Sequence, residues 1–210
     1  MRNLYGNLKM SWPVVLAFAI IAGVYTGCIM LVDSLNDTSF QDIGISFEWW
    51  VIFAVIIVVN CDKSWDAALK CFVFFLISQP VIYGVEVLAG HLTLEMAIYY
   101  YKLTWFGMTL LTLPGGFIAY FCKKQNLIGA IILGIGNTIQ AVMGANYVSK
   151  AISNFPNHLL SAIVCFASIL VMSFYIQKSK VYSLIAVTIS LVIMIVLLIV
   201  GPSIGVNITV

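Results

Sequence analysis

Charged side chains are scarce in this chain: Asp, Glu, Lys and Arg make up 9% of its 210 residues, against 62% apolar types. A soluble domain carries about 25% charged and roughly 45–50% apolar residues. The deficit excludes a water-soluble globular protein and leaves no stretch polar enough for a separate soluble unit. The expected fold is therefore an all-α integral membrane protein, one polytopic domain over residues 1–210. Histidine is rarer still, at His91 and His158 only. There is no H-E-x-x-H, G-x-S-x-G, C-x-x-C or ATP-binding loop, and no pair of aspartates within an apolar run. The five cysteines, at positions 28, 61, 71, 122 and 165, lack metal-ligand spacing and read as small apolar fillers. These absences argue against an enzyme, a cofactor or metal, and direct use of ATP. A net charge of +2 gives no basis for nucleic-acid binding.

What the chain does have is seven apolar runs, at 11–32, 45–60, 66–89, 99–122, 127–147, 158–176 and 181–200. Each reads as a membrane-spanning helix. The second is the shortest: its length gives roughly 24 Å of helix against a hydrocarbon core near 30 Å, so it stands nearly upright or begins as a re-entrant piece. The first is too long for a signal-peptide core, without a small-residue cleavage site, and reads as a retained helix. Residues 1–10 place Leu4, Tyr5 and Leu8 at helical spacing with Arg2 and Lys9 opposite. That pattern suits an interfacial helix, and a frayed terminus fits equally well.

Orientation follows from the basic residues, because short cytoplasmic loops are enriched in Lys and Arg. A cytoplasmic amino terminus puts Arg2, Lys9, Lys63, Lys70, Lys123, Lys124, Lys178 and Lys180 on the inner side and only Lys102 and Lys150 outside. The carboxyl terminus is then external. The expected compartment is the plasma (inner) membrane. Residues 33–47 form an acidic external loop that leads into Trp49 and Trp50 and is a candidate lid.

Several polar groups interrupt the apolar runs. Gln79, Tyr83 and Glu86 share one helical face, beside Pro80. A charge at mid-membrane costs about 2.5–3.5 kcal/mol on the most lenient scale, so polar groups at depth call for a partner. The fourth run has Pro114-Gly115-Gly116 at similar depth, and two such bends at one level open a cavity or merely adjust packing. Asn137 and Gln140 lie near the middle of the fifth run. They serve as interhelical bonds or as ligand contacts. Glu48, Trp105 and His158 stand at the expected outer mouth. If Glu48 and Glu86 converge, the pocket is acidic and aromatic, suited to a cationic or hydroxyl-bearing small molecule. The candidate binding set is thus Gln79, Tyr83, Glu86, Asn137, Gln140, Glu48, Trp105 and His158.

Ala19, Gly23 and Gly27 recur at intervals of four, a ladder for close helix packing within the chain, against a partner subunit or in a homo-oligomer. In length and in this ladder the chain resembles, in architecture alone, the membrane-embedded substrate-binding subunits of energy-coupling vitamin transporters, which have six spans. The expected function is small-molecule binding or transport through a cavity opening outward. The alternative is a membrane subunit with a structural, immunity or scaffolding role. A channel or intramembrane enzyme has less support, since neither a selectivity filter nor a catalytic constellation occurs.

Overall fold

The computed structural model describes residues 9–200, apart from the side chain of Ile43. The interfacial helix expected over residues 1–10 lies almost wholly outside that range, as does the end of the chain. Every regular element among the described residues is helical. Six helical segments are long and apolar enough to cross a membrane. They are α1 (Trp12–Met30), α4 (Ser64–Leu88), the stretch Leu94–Lys123, α7 (Leu127–Ser153), α8 (Leu159–Ile176) and α9 (Lys180–Val200). Leu94–Lys123 is built of α5 (Leu94–Tyr100), a π-helical turn (Tyr101–Trp105), α6 (Phe106–Ala119) and a 3-10 turn (Tyr120–Lys123).

The second apolar run departs from the sequence expectation. It holds two short helices, α2 (Ser39–Ile45) and α3 (Phe47–Val59), separated at Ser46, whose ψ of 152° is extended. The 13 residues of α3 reach about 20 Å, well short of a hydrocarbon core. The stretch 33–47, expected as a loop, is mostly folded as a 3-10 turn (Asp33–Leu35) and α2. Ser46 explains the interruption. Its backbone N–H and its hydroxyl both bond to the Asp42 carbonyl, which closes the last turn of α2 and leaves α3 to start afresh.

The two ends of the bundle are each tied by polar contacts. At one end, Thr26 donates to the Gly44 carbonyl at 2.6 Å, and His158 meets Asp37 and Asp42. At the other, Lys123 donates to the Cys61 carbonyl and Tyr120 to that of Asp62, while Gln177 donates to the carbonyls of Cys122 and Lys124. Together α2 and α3 therefore lead from one end to the other. All five cysteines are free, and burial pushes the Cys61 thiol up to about 12, with Asp66 adding to the shift.

Helix ends follow ordinary signals. Asn126 caps α7 by accepting from the Gly129 N–H at 3.0 Å, and Thr93 caps α5. α4 stops at Gly90, whose φ of +77° lets the chain turn while the His91 N–H returns to the Glu86 carbonyl.

Packing divides the molecule into two groups joined by α3. In the first, the small-residue ladder of α1 meets α4: a Cβ at Gly23 would sit 2.7 Å from the Ser78 carbonyl, and one at Gly27 would sit 2.8 Å from Val85. The ladder is thus filled at Gly23 and Gly27 by α4 of the same chain, the within-chain packing among the alternatives open from sequence. α6 joins α4 at Gly116, beside Ala68 and Cys71. In the second group, α7 packs on α9 at Gly134 and on α8 at Gly144. α3 presents Trp50, Ile57 and Val58 to the first core and Val59 to the second. Phe18, Trp50, Phe53, Phe74 and Phe75 form an aromatic cluster of edge-on and tilted ring pairs at that junction.

Candidate functional site

Two features stand out from the packed bundle, a polar cluster at the α2–α3 interruption and an apolar cavity beside α4. The cluster is built around Glu48, the second residue of α3, which is 1% exposed. Its Oε1 accepts from the Tyr147 hydroxyl at 2.8 Å and lies 2.5 Å from Ser46 Oγ. Gln140, fully buried, donates its amide to the Glu48 backbone carbonyl at 2.8 Å. Glu48 Oε2 and Gln140 Oε1 are both buried without a hydrogen-bond partner among the described residues. Two physical effects oppose each other on this carboxyl. The α3 amino terminus favours an anion by about 0.3–1 kcal/mol, reaching about 2 in buried geometries, whereas leaving a charge dry within a membrane costs about 2.5–3.5 kcal/mol or more.

Next to it, His158 bridges two carboxylates: Nδ1 lies 2.8 Å from Asp42 Oδ2 and Nε2 lies 2.9 Å from Asp37 Oδ1. The imidazole is buried, while the Asp37 side chain is 64% exposed. Ser161 donates to the same Asp42 oxygen at 2.6 Å, pinning α2 to α8. The Tyr147 ring stacks on His158 with centroids 5.9 Å apart. Both Asp37 and His158 adopt positive φ, 59° and 65°. Such left-handed backbone in a residue other than glycine costs on the order of 1–3 kcal/mol and persists where its surroundings hold it. Here the two strained residues hold each other.

The cavity has a volume of about 820 Å³ and lies between the Leu88 half of α4 and the α5–π–α6 rod. Pro80, Tyr83, Gly84 and Val87 form one wall; Ala97, Ile98, Tyr101, Lys102 and Phe106 form the other. The walls meet at Gly116 near the opposite end of α6, so the two rods converge at one end and part at the other. A second, smaller apolar cleft of about 350 Å³ runs between α3 and α6, past Trp50, Trp105, Gly115 and Gly136.

The eight residues chosen from sequence are distributed as follows. Glu48 and Gln140 meet directly, and His158 joins them through Tyr147. Asn137 instead donates to Ser173 at 3.0 Å, a clasp between α7 and α8. Gln79 is buried on α4, Tyr83 lines the larger cavity and Trp105 the smaller. Glu86 is half-buried near His91 and does not join Glu48, so the acidic pocket expected from their convergence does not form. Nor does the larger cavity match a cationic ligand: its polar contributors are Tyr83, Tyr101 and Lys102. Sequence reasoning missed Asp37, Asp42, Ser46, Tyr147 and Ser161 as members of the cluster. The available signal was the shortness of the second run together with Asp42, Ser46 and Glu48 at its head.

Among known proteins, no family model, no curated protein and no solved structure matches this chain.

Proposed function

We propose that this multi-pass membrane protein binds an apolar or amphiphilic small molecule in the cavity between α4 and the α5–π–α6 rod and carries it across the bilayer. The observation that carries the reading is the cavity itself. Its volume of about 820 Å³ falls in the range of ligand sites, roughly 300–1,000 Å³, and its lining is apolar with a few polar groups. The π-helical turn forms part of one wall and Pro80 part of the other, both departures from regular helix that recur where helices make room. Lys102 and Tyr101 would meet the polar end of an amphiphile.

In this reading the chain crosses the membrane seven times, α2 with α3 forming one interrupted crossing, and the amino terminus is cytoplasmic. The charge bias supports that orientation, and the polar ties of the 61–62 loop to Tyr120 and Lys123 support a full crossing. The competing reading, a structural subunit, draws support from Asn137 and Gln140, whose bonds go to Ser173 and to the Glu48 carbonyl.

Gly84 offers the direct test. A Cβ added there meets nothing within 4 Å, so a large side chain projects into the cavity without disturbing the helices. Mass spectrometry of small molecules copurified with the wild type and with Gly84→Phe should show a bound species lost in the variant while thermal unfolding is unchanged. Identical small-molecule profiles would remove the binding proposal.

A further inference from the structure

We propose that Glu48 is a proton-binding site, holding a proton in the conformation described here and releasing it when the α2–α3 junction opens. The inference stands apart from the cavity and rests on counting hydrogens. Ser46 has one hydroxyl hydrogen, yet its oxygen is within bonding distance of both the Asp42 carbonyl and Glu48 Oε1. If that hydrogen goes to the carbonyl, the contact with Glu48 needs a hydrogen from the carboxyl. Tyr147 has one as well, and it goes to the same Oε1. Gln140 supplies none to Oε2: its amide nitrogen donates to the Glu48 carbonyl, and its own oxygen is left over. The Asp42 carbonyl already accepts the Ser46 N–H, so what the count leaves among the described residues is two acceptors without a donor, Glu48 Oε2 and Gln140 Oε1. One proton on the carboxyl cancels the charge, satisfies the Ser46 contact and needs no further ligand.

The neighbours supply no substitute for that proton. From α2, the group facing Glu48 is Asp42, itself acidic; from α7, Tyr147; from α8, Cys165, with His158 at its start already engaged by Asp37 and Asp42. Lys150 stands over the Tyr147 ring, 6.0 Å from its centroid, and forms no ion pair with Glu48. Among the described residues no cation pairs with Glu48. A metal cation is disfavoured too, since hard cations take six or more oxygens and only two are left free here.

Binding is the simple step: a water-borne proton adds to the carboxylate oxygen, forming O–H and breaking no bond in the protein. Its consequence is mechanical. α2 is fastened to α8 by Asp42–Ser161, and α3 to α7 by Glu48–Tyr147 and Gln140, so the Ser46–Glu48 contact bridges the two halves of the interrupted crossing. Loss of the proton turns the Ser46 hydroxyl into a donor to Glu48, takes it from the Asp42 carbonyl, and leaves an anion that draws water to the junction.

The chain has three glutamates, Glu48, Glu86 and Glu95, which makes the test specific. In a Glu86→Gln, Glu95→Gln background labelled with ¹³C-carboxyl glutamate, infrared spectra should show a protonated carboxyl band at about pH 7 that disappears on alkalinisation. Only carboxylate bands at that pH would overturn the proposal, and this reading needs no substitution at Glu48. Glu48→Gln, which keeps a donor beside Ser46, should remove the band and flatten the pH dependence of thermal unfolding. An unaltered pH dependence would count against the site. Stabilisation that follows sodium concentration at fixed pH would assign the cluster to a metal cation and overturn it equally.

Discussion

The two faces of α4 use glycine in opposite ways. Toward α1, Gly23 and Gly27 exist to be filled: the Ser78 carbonyl and Val85 occupy the volume a side chain would take. Toward α5 and the start of α6, Gly84 borders open space, and the same holds for Gly115 on α6 and Gly136 on α7 along the smaller cleft. In lipid there is no hydrophobic drive to bring helices together, so close approach through small residues must supply the attraction. The lesson is that a glycine in a spanning helix marks either the tightest or the loosest part of the bundle, and only the neighbour decides which.

That contrast can be broken by substitution. The largest effect is expected at the tight face: Gly23→Val drives a branched side chain into backbone and should destabilise by about 3 kcal/mol, read by thermal unfolding in detergent. A tolerated valine would mean that α1 and α4 are not locked together. Next comes Tyr147→Phe, which takes one donor from buried Glu48 and should cost about 1–3 kcal/mol by the same measurement. Asn137→Ala, which cuts the clasp to Ser173, should cost about 0.6 kcal/mol, the average for such bonds in a membrane protein. Gly84→Ala, at the loose face, should leave the unfolding temperature where it was, and a marked drop would show the space there to be occupied.

Much of the helical layout was legible because spanning helices must satisfy their own backbone, which leaves long apolar runs in the sequence. The six long segments coincide closely with six of the expected runs, although α5 begins at Leu94 and α7 continues to Ser153, beyond the expected limits. Composition could not register the interruption at Ser46. That depends on a hydroxyl finding the Asp42 carbonyl, a local contact with no periodic signature. The site was half legible for a related reason. Polarity at depth singled out Gln140 and Asn137, and a place at the expected outer mouth singled out Glu48, yet whether an amide faces a backbone carbonyl on α3 or a serine on α8 is decided by helix rotation. The stripe Gln79–Tyr83–Glu86 looked like one surface; in the fold Gln79 is buried, Tyr83 meets the cavity and Glu86 lies partly open near His91.

The rod from Leu94 to Lys123 has 30 residues, close to 45 Å of helix at about 1.5 Å each, and a bilayer's oily interior is about 30 Å deep. Such a surplus has to be taken up by leaning or by emergence into the headgroup layer. Its Lys123 end is anchored to the 61–62 loop, so the excess falls on the Leu94 end, where the rod walls the cavity. In the proposed binding role, the Leu88 and Leu94 end of the cavity would then open among lipid headgroups, within reach of a molecule arriving from the membrane surface.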